Sequence, residues 1–309
     1  MSSPDANSTI VVGVAEEGAS GAAVRWAVDE AAVRGAQVHL VHAVPHEVPY
    51  AVPQVLGVHA PAAPLPADPP GHPREPDVAL RRAAEQVRAA SPGQPVRSSA
   101  VRGTAREVLL RVAADAAAVV TGPGRTAVFL AEHAPCPVVV VGEDAPAGAR
   151  GVVVGFDVSP AATAALEVAA AEAALRGEPL RVVHTTHLPG GHLAVTDPEA
   201  HRAARRRARA RVRAAVERAA EVVRRRHDVE VEVVVVTDSF ASDVLVERSR
   251  RARLLVVGAH ERTTFAVTLR GSTERSVLHR AHVPVVVVPV PPRVVDVRRA
   301  PAAELAGTA

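Results

Sequence analysis

The chain repeats itself. Gly13, Glu30, Arg34, Gly35 and His42 return as Gly155, Glu172, Arg176, Gly177 and His184, always 142 positions later. Ala105, Val108, Leu109 and Gly122 return as Ala241, Val244, Leu245 and Gly258 after 136 positions, and the run from Pro137 returns at Pro284 after 147. One offset held by Gly, Glu, Arg and His across about thirty residues marks a tandem duplication. A length of 309 residues accommodates two units of ordinary domain size, each with its own core. The expected units are 8–142 and 150–290, with a linker at 143–149 and a loose tail over 291–309.

Within each copy, apolar runs alternate with helical periodicity. The first copy reads as strands at Thr9–Val14, Gln37–Val44, Val96–Val101, Ala117–Thr121 and Val138–Val141. The second reads as strands at Gly151–Phe156, Leu180–Thr185, Val229–Val236, Arg253–Val257 and Val285–Val288. Several are apolar throughout, as strands covered by helices on both faces must be. Helices are expected at Ser20–Arg34, Val78–Ala90, Thr104–Ala114, Pro160–Arg176, Glu199–Arg226, Ala241–Arg250 and Ser272–Arg280. Ser159 before Pro160 is suited to cap the fourth of these. This alternation implies an α/β fold in which each copy is a mainly parallel five-stranded sheet flanked by helices. Such sheets bind ligands beyond the carboxyl ends of their strands, where the strand order switches direction. Ten prolines among residues 45–76 predict a loop or disordered insertion over the mouth of the first sheet.

Residue usage removes several functions. No lysine occurs, so all 36 basic residues are arginine. A P-loop, a protein kinase and a Schiff-base enzyme all require a lysine, and none of them is this chain. The single cysteine, Cys136, leaves no intrachain disulfide and reads as a small buried residue ahead of a valine run. The first residues lack the basic and apolar pattern of a secretory signal, and the apolar runs are short and interrupted by proline. A cytoplasmic protein with no membrane partner is expected.

Four segments of the second copy carry a resemblance. They are Val-Gly-Phe-Asp157-Val-Ser159, Arg-Val-Val-His184, Val-Val-Gly258, and Leu-Arg-Gly271-Ser272 before the final valine run. Together they resemble the universal stress protein family in its tandem two-domain form. The resemblance implies two Rossmann-like (adenine nucleotide alpha hydrolase-like) domains and a regulatory or binding role. ATP-binding members carry G-x2-G-x9-G-[ST], to which Gly258 and Gly271-Ser272 correspond. By the same resemblance, Asp157 meets the nucleoside or its Mg²⁺, and the backbone of Thr185 reads adenine. The physics of the pattern stands on its own: a loop entering a helix N-terminus offers backbone N–H groups and the positive end of a dipole to phosphate oxygens.

The second copy departs from the pattern at Glu261, where the family has its second glycine, and at Glu274, where it commonly has Ser or Thr. A carboxylate about 4 Å from a phosphate charge costs roughly 1 kcal/mol in water and about 4 at an effective dielectric near 20. Arg262 and Arg270 are placed to offset this, since guanidinium groups pair with phosphate oxygens. The first copy departs further. Ala15 stands opposite Asp157, and Gly122 to Pro137 is 11 residues shorter than Gly258 to Pro284, the shortfall falling on the phosphate loop. The first copy is expected to bind no nucleotide.

Other features have plainer readings. Arg202–Arg226 holds eleven arginines, but Ala204, Ala208, Val212, Val216, Ala219 and Val223 form an apolar stripe, so a solvated electropositive helix face is expected rather than a nucleic-acid partner. His184, His187 and His192 lack a carboxylate or thiolate at metal-ligand spacing, and His184 reads as a structural residue at a strand end. Ser159 has no GxSxG elbow around it and no catalytic residue is expected. Val138–Val141 and Val285–Val288 read as edge strands that pair with each other within the chain or in a homodimer. The favoured reading is a binding or regulatory protein with one degenerate ATP site in its second half, formed by Asp157, Thr185, Gly258, Gly271 and Ser272. The alternatives are a nucleotide-free interaction protein and a nucleic-acid binder acting through 202–226.

Overall fold

The computed structural model describes residues 9–15, 21–44, 75–142, 148–186, 198–259 and 272–289. The first half runs β1 (Thr9–Gly13), α1 (Gly21–Arg34), β2 (Gln37–Val44), α2 (Glu75–Ala90), β3 (Val96–Arg102), α3 (Ala105–Val112), β4 (Ala118–Thr121), α4 (Arg125–His133) and β5 (Val138–Val140). The second runs β6 (Val152–Gly155), α5 (Pro160–Arg176), β7 (Leu180–Thr186), α6 (Pro198–Arg226), β8 (Val231–Thr237), α7 (Ala241–Ser249), β9 (Leu254–Gly258), α8 (Ser272–Arg280) and β10 (Val285–Val288).

The two sets of five strands form one sheet in the order β3-β2-β1-β4-β5-β10-β9-β6-β7-β8. Within each half every pairing is parallel, and the halves meet where β5 and β10 run antiparallel. Val138, Val139 and Val140 face Val287, Val286 and Val285 across that seam, each almost fully buried. The valine edges that either half alone would leave open close on each other inside one chain. The outer edges are β3 and β8, and β3 carries exposed Arg97 and Arg102. Helices α1, α2, α5 and α6 contribute to one core layer, and α3, α4, α7 and α8 to the other. Strand neighbours split between the layers, Val12 and Val154 in one, Val11 and Val153 in the other.

Local chemistry sets the helix boundaries. Ser159 caps α5 by accepting from the Ala162 N–H at 3.1 Å, with Pro160 in the first turn. Thr104 and Glu107 form a reciprocal capping box at the start of α3. Gly177 ends α5 at φ 60°, and Gly35 follows α1 at φ 62°, a left-handed geometry where a Cβ is strained. This is why the Arg-Gly pair recurs.

One helix was not legible in advance. α4 lies in a stretch read only as a shortened loop, yet Ala127, Leu130 and Ala131 are buried at helical spacing. The 147-residue offset that links the last strands also carries Ser272–Arg280 onto Arg125–His133, so the duplication itself contained the signal. α2 begins at Glu75, inside the expected proline-rich loop. The rest of that loop (45–74), linker residues 143–147 and the tail 291–309 lie outside the described residues.

The apolar stripe expected along α6 is only partly used. Val216, Ala220 and Val223 are buried and Val212 and Ala219 pack beside them, whereas Ala204 is exposed. Helix α6 therefore packs by its C-terminal half.

At the pseudo-twofold between the halves, four duplicated residues meet. Arg34 of α1 pairs with Glu30 on its own helix and with Glu172 of α5; Arg176 pairs with Glu172 and with Glu30. Both carboxylates are almost fully buried, Glu30 at 4% and Glu172 at 5% exposure. The contact is reciprocal, as a twofold demands. On the opposite layer, among the described residues, the exposed pair Arg275–Glu132, at 3.5 Å, is the one ion pair that links α8 to α4.

Cys136 sits in the buried turn before β5, and burial pushes its thiol up to about 11 from an ordinary 9.0. Thiolate is the reactive form, so at pH 8 the native chain should alkylate with iodoacetamide at least about a hundredfold more slowly than the denatured chain. Equal rates would place Cys136 at the surface.

Candidate nucleotide crevice

A crevice of about 270 Å³ opens at the carboxyl ends of β6, β7 and β9. In the second half β6 pairs with both β7 and β9, and the chain leaves it in opposite directions, so the crevice lies at the topological switch point. Its floor is apolar, formed by Val183, Leu245 and Val257, with Phe156 at one side.

Asp157 lies on the crevice wall in the turn after β6. Its Oδ1 accepts from the Ser159 N–H at 3.0 Å, closing an Asx turn around Val158. Val158 is held at φ 69°, a left-handed conformation that a β-branched residue adopts only under strain. The duplicated His184 explains the next position: its Nδ1–H donates to the Phe156 carbonyl at 2.7 Å, and His42 does the same to Val14 at 2.8 Å. A carbonyl only accepts, which fixes the proton on Nδ1 in both. These histidines clamp the turn after β6 and β1. His187 and His192 lie outside the described residues.

Thr185 stands half-buried on β7 and lines the crevice. Gly258, at the end of β9, also lines it, but the structure gives this glycine a first duty elsewhere. A Cβ there would fall 2.5 Å from the Ala161 carbonyl carbon and 2.8 Å from the Ala162 nitrogen. Gly258 is what allows the first turn of α5 to lie on the end of β9. The following amide, Ala259 N–H, is spent on the Val288 carbonyl at 2.7 Å. That amide is therefore not free for an anion, whereas the start of α8 borders the same crevice.

Ser272 is the first residue of α8, and Thr273 beside it lines the crevice. The side chains of Ser272 and Glu274, and all of Gly271, Glu261, Arg262 and Arg270, lie outside the described residues. The structure thus brings Asp157, Thr185 and Gly258 to one crevice with the N-terminus of α8. Thr273, Phe156 and the strained Val158 were not anticipated from sequence. Thr273 had a signal, since Thr126 lies 147 positions earlier and lines the first-half crevice.

That first-half crevice persists. It measures about 350 Å³ and is lined by Gly13, Ala15, His42, Leu109 and Gly124 among others. What is missing there is chemistry rather than space: Ala15 replaces the carboxylate, and only Gly122-Pro123-Gly124 connect β4 to α4.

Among the described residues no helix is long and apolar enough to cross a membrane. The family model for the universal stress protein family matches residues 6–142 and again 149–289. A universal stress protein of Mycobacterium tuberculosis is 31% identical over 313 residues, spanning 93% of this chain and 99% of the relative. A second from the same organism is 32% identical over 316 residues, spanning 93% and 98%. The crystal structure of a universal stress protein from Archaeoglobus fulgidus superposes with a TM-score of 0.63 at 15% identity, covering 92% of this chain and 97% of that one, and so shares the fold. With both halves matched and the relatives spanned nearly end to end, the chain belongs to the universal stress protein family, as a tandem of two of its domains.

Proposed function

We propose that the chain is a regulatory binding protein of the cytoplasm with a single adenine-nucleotide site, in the second half. Asp157 and Thr185 hold the nucleoside end, and Gly258, Gly271 and Ser272 surround the phosphates of ATP. The observation that supports this most is the crevice at the β6–β9 switch point, with the Asp157 carboxylate on one wall and the start of α8 on another. The apolar floor suits a flat ring, and a helix N-terminus suits an anion.

The donor set also fits a magnesium nucleotide. Asp157 commits Oδ1 to the Asx turn, and a carboxylate offers further acceptor capacity at Oδ2 to a hard cation. Bound Mg²⁺ would neutralise phosphate charge that Glu261 and Glu274 otherwise oppose. Among the described residues no side chain in the crevice is arranged as nucleophile and base. Ser159 Oγ is occupied as a helix cap, and His184 turns its Nδ1 proton to the backbone. The proposed role is therefore binding, with no turnover beyond slow hydrolysis of ATP. The first half, with Ala15 and its three-residue connection, binds no nucleotide in this reading.

A nucleotide-free interaction protein is favoured instead by the spent Ala259 amide together with the two acidic intruders. Thermal unfolding separates the readings. With Mg-ATP at about a hundred times its dissociation constant the native state gains about 2.7 kcal/mol, seen as a raised Tm. An unchanged Tm at millimolar Mg-ATP supports the nucleotide-free reading.

A further inference from the structure

Helix α6 is 29 residues long, about 43 Å, while the strand it precedes, β8, has 7 residues and reaches about 23 Å. The excess must overhang the sheet. Arg205 marks where this begins, pairing with Asp238 just past the carboxyl end of β8. The buried positions, Val216, Ala220 and Val223, all lie in the other half. The free end projects on the same side of the second-half sheet as the crevice.

Between Arg202 and Arg213 there are seven arginines and no acidic residue. Arg213 reaches Glu217 at 3.7 Å. Among the described residues Arg202, Arg206, Arg207, Arg209 and Arg211 have no carboxylate partner, and all five are exposed. Like charges at Arg202/Arg206, Arg205/Arg209, Arg207/Arg211 and Arg209/Arg213 stand one helical turn apart and repel. Each such pair costs about 0.2–0.5 kcal/mol, and no acid within the stretch offsets it. The arrangement is relieved by a polyanion.

Arg202, Arg206, Arg209 and Arg213 follow i, i+4, i+7, i+11 and form one stripe about 16 Å long. A duplex carries one phosphate charge per about 1.7 Å of axis, so this stripe runs beside about ten of them. The residues between are Ala203, Ala204, Ala208, Ala210 and Val212, with no Trp, Phe or Leu to enter a bilayer. No Trp, Tyr or Phe lies anywhere in α6 to stack on unpaired bases. We propose that the arginine-rich stretch Arg202–Arg213 of α6 binds the phosphate backbone of duplex nucleic acid, without sequence preference, through this arginine stripe. Phosphate contact by guanidinium positions without reading bases.

The test is fluorescence anisotropy of a labelled duplex of about 20 base pairs with the full chain between 50 and 200 mM NaCl. Four phosphate contacts give a slope of log K against log salt near −3.6, a loss of about 150-fold across that range. The variant R202Q/R206Q/R209Q/R213Q keeps helix propensity and should abolish binding. If that variant fails to fold, each single Arg→Gln change should reduce the slope by about 0.9. Absence of association at 50 mM salt overturns the proposal, as does unaltered binding by the quadruple variant. Strong preference among duplex sequences, or binding to phosphatidylserine vesicles without binding to duplex, also overturns it.

Discussion

Arg176→Met should destabilise the chain by about 3 kcal/mol, far more than removal of any arginine from an exposed pair. The reason lies in the ring at the twofold. Glu30 and Glu172 are buried and share two guanidinium groups, and Arg176 is the more buried of the two, its side chain 15% exposed against 40% for Arg34. Removing one partner from a buried ion pair leaves charge without compensation and costs roughly 3–5 kcal/mol. The partial solvent access of Arg34 argues for the lower figure. Arg181→Met is the control, because its partner Glu232 is itself 57% exposed and such pairs contribute at most about 1 kcal/mol. Urea denaturation of both variants decides the matter. Equal midpoints would mean that the ring contributes no more than a surface pair, and that the halves are held by the β5–β10 seam alone.

Gly258→Ala is the second large effect, about 3 kcal/mol of stability together with loss of nucleotide binding. Overpacking commonly costs about 1–3 kcal/mol because side chains can shift. Here the added methyl meets Ala161 and Ala162 backbone atoms, at 2.5 to 2.8 Å, which cannot rotate away. The first turn of α5 has to lift, and the Ser159 cap and Asp157 turn go with it. Gly93→Ala supplies the contrast, since nothing lies within 4 Å of its Cβ position and no unusual φ is needed there. Denaturation of the two variants should separate by several kcal/mol. A Gly258→Ala protein as stable as Gly93→Ala would show that α5 and β9 tolerate separation.

Much of the architecture is legible in the sequence because the duplication presents each element twice. The valine runs, the Arg-Gly pair and the strand-end histidines recur, and each proves to be a physical necessity: buried strands, a left-handed helix exit, a backbone clamp. The failures are equally physical. α4 is hard to read because Arg125–His133 and Ser272–Arg280, though related by the 147-residue offset, are identical only at Thr126 and Thr273. The Glu30–Arg34–Glu172–Arg176 ring was visible as four repeated residues, but charge complementarity between copies appears only when a twofold brings them together. The close approach of Gly258 to the first turn of α5 has no signature in spacing, and it comes in addition to the place of Gly258 in the crevice lining. Overhang of α6 could not be judged without knowing how far β8 extends. Asp157 and Thr185 were named by the family resemblance of their segments, and both line the crevice.

Nucleotide should enter the second half and only the second half. Titration calorimetry of Mg-ATP into the full chain, beside Asp157→Asn, measures this directly. The asparagine keeps an acceptor for the Ser159 amide and removes only the charge, so the turn survives. The expected result is about one equivalent bound, with affinity reduced about tenfold or more in the variant. Two equivalents, no heat of binding, or an affinity indifferent to Asp157→Asn would contradict it.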